Sequence, residues 1–470
     1  MNTFGDTVKA RLTLLGISQA ELARRIPVSA GYISRILSGQ QHVTPDVAKA
    51  IDTILNADGT IAAQANTDHP DIDPPWMGAA MQTVLDDNEL DSRVARDHDE
   101  WCRTRQHLNA SRHTLSRVAA RLYSGRSMAD TGLIYHPDWI PAQPVDLDDI
   151  TLRHHVDASA PTLDGTEEET AAVRPRAGVL RRYPRYSPAI RDLAAPRLFE
   201  NRWSWRLCDV EWGDGKGRMG FADTTYFAGV DVNEAIAHEI AAVALEEDGT
   251  LRAGNPTLRD LPFRRLIGDP FWPQRRPLVC AISTLTIRRD GDDVTFLLHR
   301  RDPQAVAIAG GMLQVIPSGI FQPSSVMPAA MSADFDLWRN IQREASEELL
   351  GNPEHDGDGI PVDYQAEPFA TLDAARGSGK LRVCCLGVVL DALTLFGEIL
   401  TVAVIDADVF DTLAPDFVDL NEEGSVVKVR APFTEDGVCR LLASGRLAPA
   451  GGGCLSLAWQ HRDLLLDNRP

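Results

Sequence analysis

Residues 17–37 set two short amphipathic helices almost end to end, and this arrangement limits the fold more than any other part of the chain. The run Ile17-Ser18-Gln19-Ala20-Glu21-Leu22-Ala23-Arg24-Arg25-Ile26 opens with a capping box: Ser18 is the N-cap, and Glu21, three residues on, reaches back to its N–H. Pro27-Val28 leaves room only for a short break before a second helix, Ser29–Leu37, also opened by a serine. Ala23, Ile33 and Ile36 are the small and apolar residues such a pair buries between its members, and Gly39 supplies the stop past the helix end. Helical patterning also covers Phe4–Leu15 and Pro45–Leu55. Residues 1–58 are therefore expected to form an all-α domain.

The rest of the chain is a different material. At 470 residues it exceeds a single core, and roughly one domain per 150 residues suggests about three. A 44% hydrophobic, 24% charged composition argues against wholesale disorder. No run approaches the roughly 18 consecutive apolar residues that cross a bilayer, and the amino terminus, with Asp6, lacks the apolar core of a signal peptide. The seven cysteines include no CxxC pair of the kind zinc sites use. A reduced, cytoplasmic protein with no structural metal and no membrane contact is expected. Net charge is −20, yet residues 1–60 hold six Lys or Arg and five Asp or Glu, so residues 61–470 carry −21. Nucleic acid would be repelled by that acidic body, and any DNA contact must be confined to the amino-terminal module.

The spacing of Ile17–Leu37 is that of a helix-turn-helix, whose second helix lies in the major groove. Residues 4–55 resemble the phage-repressor-like (XRE) family of helix-turn-helix transcription regulators, with all helices in register. The resemblance implies that Gln19 contacts phosphate and sits against the start of the recognition helix, which Ser29 opens. It implies that Ala30, Gly31, Ser34 and Arg35 face base edges, with Tyr32 alongside. Ala30 and Gly31 stand where relatives often carry polar readers, so Arg35 is the strong bidentate donor for guanine, and the remaining specificity is expected from DNA shape or half-site spacing.

Between residues 76 and 155 a helical connecting region is expected. Its longest helix, roughly Ser92–Tyr123, repeats an apolar residue every seven: Val94, Trp101, Leu108, Leu115 and Leu122. That stripe reads either as a coiled-coil seam or, since Asp97, Thr104 and Ser111 occupy companion positions, as one face packed inside the protein. Residues 156–197 read as an exposed acidic linker (Glu167-Glu168-Glu169) followed by a basic arm. Arg174–Arg197 holds seven arginines with Tyr183 and Tyr186, suited either to phosphate contact or to simple solvation. Residues 198–275 read as an α/β accessory region with a helix near Val232–Leu245.

Residues 276–466 alternate strands (Leu278–Arg289, Val294–Arg301, Val383–Leu390, Leu400–Ile405) with a helix near Phe335–Leu350. On that helix Glu344, Glu347 and Glu348 crowd one face, a repulsion that a magnesium ion bound with substrate phosphates would relieve. With the loop Gly310-Gly311 and the turn Pro317-Ser318-Gly319 before it, this order resembles the Nudix hydrolase domain, an α+β fold with an α-β-α arrangement. The resemblance implies Glu344, Glu347 and Glu348 as metal ligands and Arg343 as the residue orienting them, with Arg343 and Glu347 the candidate catalytic pair. The loop half departs: six residues on from Gly319 stands Ser325 rather than glutamate, and Gly319 to Arg343 spans about ten residues too many. Efficient hydrolysis is therefore not expected.

Other patterns fail on inspection. His238-Glu239 lacks the second histidine of a helical zinc site. Gly377-Ser378-Gly379-Lys380 lacks both the earlier glycine and the hydroxyl residue of a phosphate loop, and is expected to join two strands. Gly213–Gly217 reads as a hairpin turn, and Cys384-Cys385 as buried strand residues. The chain as a whole reads as a multidomain regulator that binds a double-stranded operator, as a homodimer, and senses a small molecule, a nucleotide or nucleotide-sugar by resemblance, through its Nudix-like domain. The alternatives are a magnesium-dependent hydrolase of nucleoside-diphosphate compounds carrying a DNA-binding domain, and a partner-binding module.

Overall fold

The computed structural model describes residues 4–15, 17–19, 22–23, 26, 30–38, 43, 45–55, 57, 59–65, 87–128, 130–178, 181–196, 199–301, 312–353, 361–418, 420–421 and 424–467. The amino-terminal unit contains α1 (Phe4–Leu15), α2 (Ala30–Leu37), α3 (Pro45–Ile54) and α4 (Thr60–Ala65). Helical Gln19, Leu22 and Ala23 precede α2, while Glu21, Ser29 and Gly39 lie outside the described residues.

Next comes α5 (Asp87–Ala120), 34 residues long. Trp101, Leu108 and Leu115 of its stripe are buried and Leu122 partly so, because α5 lies along α6 (Tyr226–Ala244) within the same chain. The stripe is interior packing rather than a seam between chains.

Helical structure ends sooner than the sequence suggests. After Tyr123 the chain forms short strands, β1 (Ser127–Met128), β2 (Leu133–Ile134), β3 (Val145–Asp146) and β4 (Ile150–His154), whose buried Leu133, Ile134 and Val145 extend the main sheet. The acidic linker is not free either. Glu167 folds its carboxylate back to accept N–H bonds from Asp164 (2.7 Å) and Gly165 (2.9 Å), and Leu163, Thr170 and Val173 are buried. Gly165, at φ +87°, meets α6 so closely that a Cβ would lie 2.6 Å from the Asp231 carbonyl oxygen. The basic arm folds in with it. Arg174 donates to the carbonyls of Tyr183 (3.2 Å) and Pro184 (2.8 Å), Arg182 to that of Arg174 (2.6 Å), and Arg185 pairs with Asp164. These guanidinium groups answer internal acceptors, and Tyr186 is fully buried, so the segment is a packed part of the body rather than an arm.

Strands β5 (Trp203–Gly213) and β6 (Lys216–Thr225) form the expected hairpin, closed through Asp214 (φ +52°) and Gly215 (φ +74°), and pair with β4 in the order β4-β6-β5. Then come α6 and α7 (Pro262–Ile267). Glu239 caps α7, its carboxylate accepting the N–H groups of Phe263 (2.7 Å) and Arg264 (3.1 Å). The His238-Glu239 pair is therefore structural.

The large sheet is built from β7 (Cys280–Asp290), β8 (Asp293–Arg301), β9 (Leu313–Gln314), β10 (Ser318–Ile320), β11 (Leu381–Asp391), β12 (Gly397–Asp406) and β13 (Gly424–Pro432), with β1 to β3. Its path is β1-β2-β11-β12-β7-β8-β13 and ends on the short strand Leu420–Asn421, with β3 on β11, β9 on β8 and β10 on β7. Neighbours run antiparallel except β7 and β12, which pair in parallel from Cys280 opposite Gly397 to Arg289 opposite Asp406. Interspersed helices are α8 (Pro328–Asp334), α9 (Leu337–Glu348), α10 (Phe369–Gly377), α11 (Ala407–Leu413) and α12 (Pro449–Gln460).

Central strands buried on both faces read as near-continuous apolar runs. Along β12, Ile399, Ala403 and Ile405 join the core that includes Ile341 of α9, while Leu400, Val402 and Val404 join the core that includes Leu455 of α12. Helix α12 comes close because it carries Gly451-Gly452-Gly453, where a Cβ at Gly453 would lie 2.5 Å from Leu133 Cδ1. Two local expectations are corrected. Ser318-Gly319 is not a turn but part of β10, with Gly319 opposite Ile282, and Gly377–Lys380 ends a helix rather than joining two strands. Cys384 and Cys385 are buried as expected. Gly310-Gly311 lies outside the described residues.

Inside the α5–α6 contact lies a buried ionic group. Glu234 accepts from Arg105 (2.9 Å) and twice from Arg112 (3.1 and 2.7 Å), all three almost fully enclosed. Burial alone would raise the Glu234 carboxyl, but Arg112 and Arg105 outweigh it and hold it down at about 2. Removing one partner strands the others in a medium that cannot solvate them. Glu234→Ala is expected to cost about 3–5 kcal/mol in urea denaturation.

Beside this group, His238 stacks on Trp101 (centroids 5.6 Å apart, 18° between planes) and its Nδ1 lies 2.8 Å from the Tyr186 hydroxyl. Burial, reinforced by Arg105, pushes its pKa from 6.5 down to about 3. Between those values the unfolded chain holds a proton that the folded chain refuses, so stability present above pH 6.5 is lost as pH falls toward 3. Buried Asp231, raised to about 6, acts in the opposite sense over its own window, so the comparison is made against His238→Gln. The stability difference between the two proteins is expected to decline by about 1.4 kcal/mol per pH unit below 6.5.

Candidate DNA-reading face and carboxylate helix

The amino-terminal unit sorts its residues by face. Phe4, Val8 and Leu12 of α1, Leu22, Ala23 and Ile26, Ile33, Ile36 and Leu37 of α2, and Val47 and Ile51 of α3 are buried. Gly5 lets α1 touch the end of α2, since a Cβ there would lie 2.3 Å from the Leu37 carbonyl oxygen. Arg11 donates to the Leu55 carbonyl (2.9 Å), fixing α1 to the end of α3. Asp52 accepts N–H bonds from Gly59 (2.8 Å), Ile61 (2.7 Å) and Ala62 (3.1 Å), which holds the start of α4.

With Ile33, Ile36 and Leu37 turned inward, Ser34 and Arg35 of α2 are exposed, as is Gln19 on the preceding helix. Two of the expected base readers and the expected phosphate contact are thus solvent-facing. The side chains of Ala30, Gly31 and Tyr32, and residue Ser29, lie outside the described residues.

A helix-turn-helix family model matches residues 8–60, and this match supports a DNA-binding regulator of the XRE type. No curated protein matches the chain. The remainder of the chain is a large sheet-rich region whose sheet curls into a half-barrel.

At the other end, α9 begins at Asp336, whose side chain accepts the Arg339 N–H (3.0 Å). Two of the glutamates lean toward β10. Glu344 lies against Gly319 so closely that a Cβ there would sit 1.9 Å from Glu344 Cδ, and Glu348 Oε2 accepts the Ser318 N–H at 2.8 Å. Glu347 is half-buried. Among the described residues, no group of three or more His, Cys, Asp or Glu side chains is placed to hold a metal ion. Of the three glutamates expected to hold magnesium, Glu344 lies against a glycine and Glu348 is bonded to backbone.

Arg343 has the fullest set of partners on this helix. It is buried, donating to the Tyr364 hydroxyl (2.7 Å), the Gln322 carbonyl (2.6 Å) and Asn340 Oδ1 (3.2 Å), and lies 3.2 Å from Asp334 Oδ1. Tyr364 donates to the same Asp334 oxygen (2.6 Å), while Asp334 Oδ2 accepts from the Ser324 N–H (2.7 Å) and hydroxyl (2.6 Å). The residues in excess between Gly319 and Arg343 include α8, which ends at Asp334 and so delivers the partner that takes Arg343. Ser325, standing at the missing glutamate, instead accepts the Met327 N–H at 3.2 Å. Arg343 thus anchors the inserted segment.

Sequence reasoning missed Asp334 and Tyr364 because nothing local marks them; their role arises only where Arg343 meets both. Loss of Arg343 leaves Asp334, wholly enclosed, without its cation. Arg343→Met is expected to destabilise by about 3–5 kcal/mol in urea denaturation, and adding Asp334→Asn should recover part of that loss in a double-mutant cycle.

Proposed function

We propose that the protein is a sequence-specific transcription regulator that binds operator DNA as a homodimer through residues 1–58, and that its carboxyl-terminal half is a Nudix-like domain that senses a small ligand. The observation carrying this reading is the two-faced α2: Ile33, Ile36 and Leu37 face the core while Ser34 and Arg35, like Gln19 before them, are exposed within the matched helix-turn-helix. The charge division agrees, since a module near neutrality is followed by a body at −21 that a phosphate backbone repels.

Support for a Nudix-like domain comes from a mixed sheet with a central parallel pair, helices on both faces, and a glutamate-bearing helix seated on a short strand. Sensing is favoured over hydrolysis because the box's loop half is replaced by the segment that α8 and Arg343 tie down. A nucleotide or nucleotide-sugar remains the ligand suggested by that likeness.

Selection of bound fragments from genomic DNA, followed by footprinting, tests the reading. A single preferred operator with paired half-sites is expected. Arg35→Ala should weaken binding to it by about 1–3 kcal/mol, the worth of one bidentate guanine contact, while binding to unrelated DNA changes far less. Uniform binding to all fragments, or an unchanged preference in Arg35→Ala, would sink the proposal.

A further inference from the structure

An open recess of about 550 Å³ lies between the last turns of α5, the β1–β2 hairpin and the segment following α6. Its volume is that of a small-metabolite site, which typically spans about 300–1,000 Å³. Among the described residues three arginines line it, Arg117 from α5, Arg121 from the turn just after it and Arg252 from the segment after α6, with Asp130 the one acidic residue. In a chain of net charge −20 this is a local reversal of sign.

How the arginines are held indicates what they await. Arg121 Nη1 donates to Asn255 Oδ1 at 3.0 Å, so the amide aims the guanidinium and engages one donor. Arg252 is fixed at its root, Nε donating to the Leu245 carbonyl at 2.7 Å and lying 3.7 Å from Glu246, which leaves the outer fork for another acceptor. Arg117 meets Asp130 at 3.5 Å, but both are well exposed, and such a pair contributes little. Each guanidinium carries five N–H donors in a planar fork that matches the oxygens of a phosphate group. Gly254, at φ +98° with nothing within 4 Å of a would-be Cβ, keeps one rim low. Val118, Leu251 and Pro256 add an apolar wall.

We infer that this recess binds a phosphorylated small molecule, the phosphate on Arg117, Arg121 and Arg252 and the remainder against the apolar wall. This goes beyond the regulator reading, because the recess lies outside residues 276–466 and away from the carboxylate helix, and the binding itself does not depend on that reading. The placement suits an effector: α5 is the first described helix after the DNA-reading unit, and a molecule here touches α5, the sheet hairpin and the segment leaving α6 together.

Calorimetric titration of the full chain with inorganic pyrophosphate tests the site. Saturable binding is expected, weakened about tenfold or more by Arg121→Ala and by Arg252→Ala, the loss of a charge-assisted contact. Both positions are at the surface, and an unchanged urea midpoint will show that folding is intact. Absence of binding up to about 10 mM, equal binding in both variants, or binding of citrate but not pyrophosphate would overturn the inference. Operator affinity is read separately: if pyrophosphate binds and the operator complex is unmoved, the effector role falls, whereas loss of operator recognition alone leaves the site standing.

Discussion

Everything between α5 and the main sheet depends on neutralising charge where water cannot. Glu234 sits among the buried residues of α6 and is matched by two arginines from α5, seven residues apart and so on one face of that helix. Buried ion pairs of this kind contribute little net stability compared with well-packed apolar groups, but their directional bonds tolerate few alternative alignments. Here they fix the rotation and register of α5 on α6. That register places Trp101 over His238, the Tyr186 hydroxyl on His238 Nδ1, and Arg117 and Arg121 at the edge of the open recess.

Much of the fold was legible where the chain obeys short-range rules. The apolar spacing of Ile33 and Ile36 and the continuous runs around Cys384 and Val402 each encode their element locally. The Asp214-Gly215 turn was legible for the same reason. What escaped was set at long range. Residues 121–155 carry short apolar dipeptides that become strands only because β11 offers an edge, and the arginines of 174–191 look like a basic arm until their carbonyl and carboxylate acceptors are in place.

The candidate sites divide in the same way. An exposed Arg35 follows from helical periodicity, since its neighbours on either side of the turn are apolar. The role of Arg343 does not. Nothing in a glutamate-rich helix preceded by strands and glycines marks Asp334 or Tyr364 as partners of its arginine, because Asp334 arrives with an insertion. The arginine recess was invisible for a further reason: Arg117 and Arg252 are 135 positions apart and share no motif.

The parallel pairing of β7 with β12 carries a consequence for how the chain is made. Cys280 pairs with Gly397, and the hairpin at residues 127–134 closes on Leu390, so most of the sheet's contacts join distant parts of the polypeptide. Such topologies assemble slowly, because loop closure must precede the contacts that reward it. The helices of residues 4–65, by contrast, touch one another within a short span and are synthesised before the sheet. On a ribosome the DNA-reading head is therefore complete while the sheet still lacks α12, the cover for one of its apolar faces. Nascent chains at that stage combine a finished head with an adhesive, half-built body, a vulnerable interval during which chaperones have most to protect.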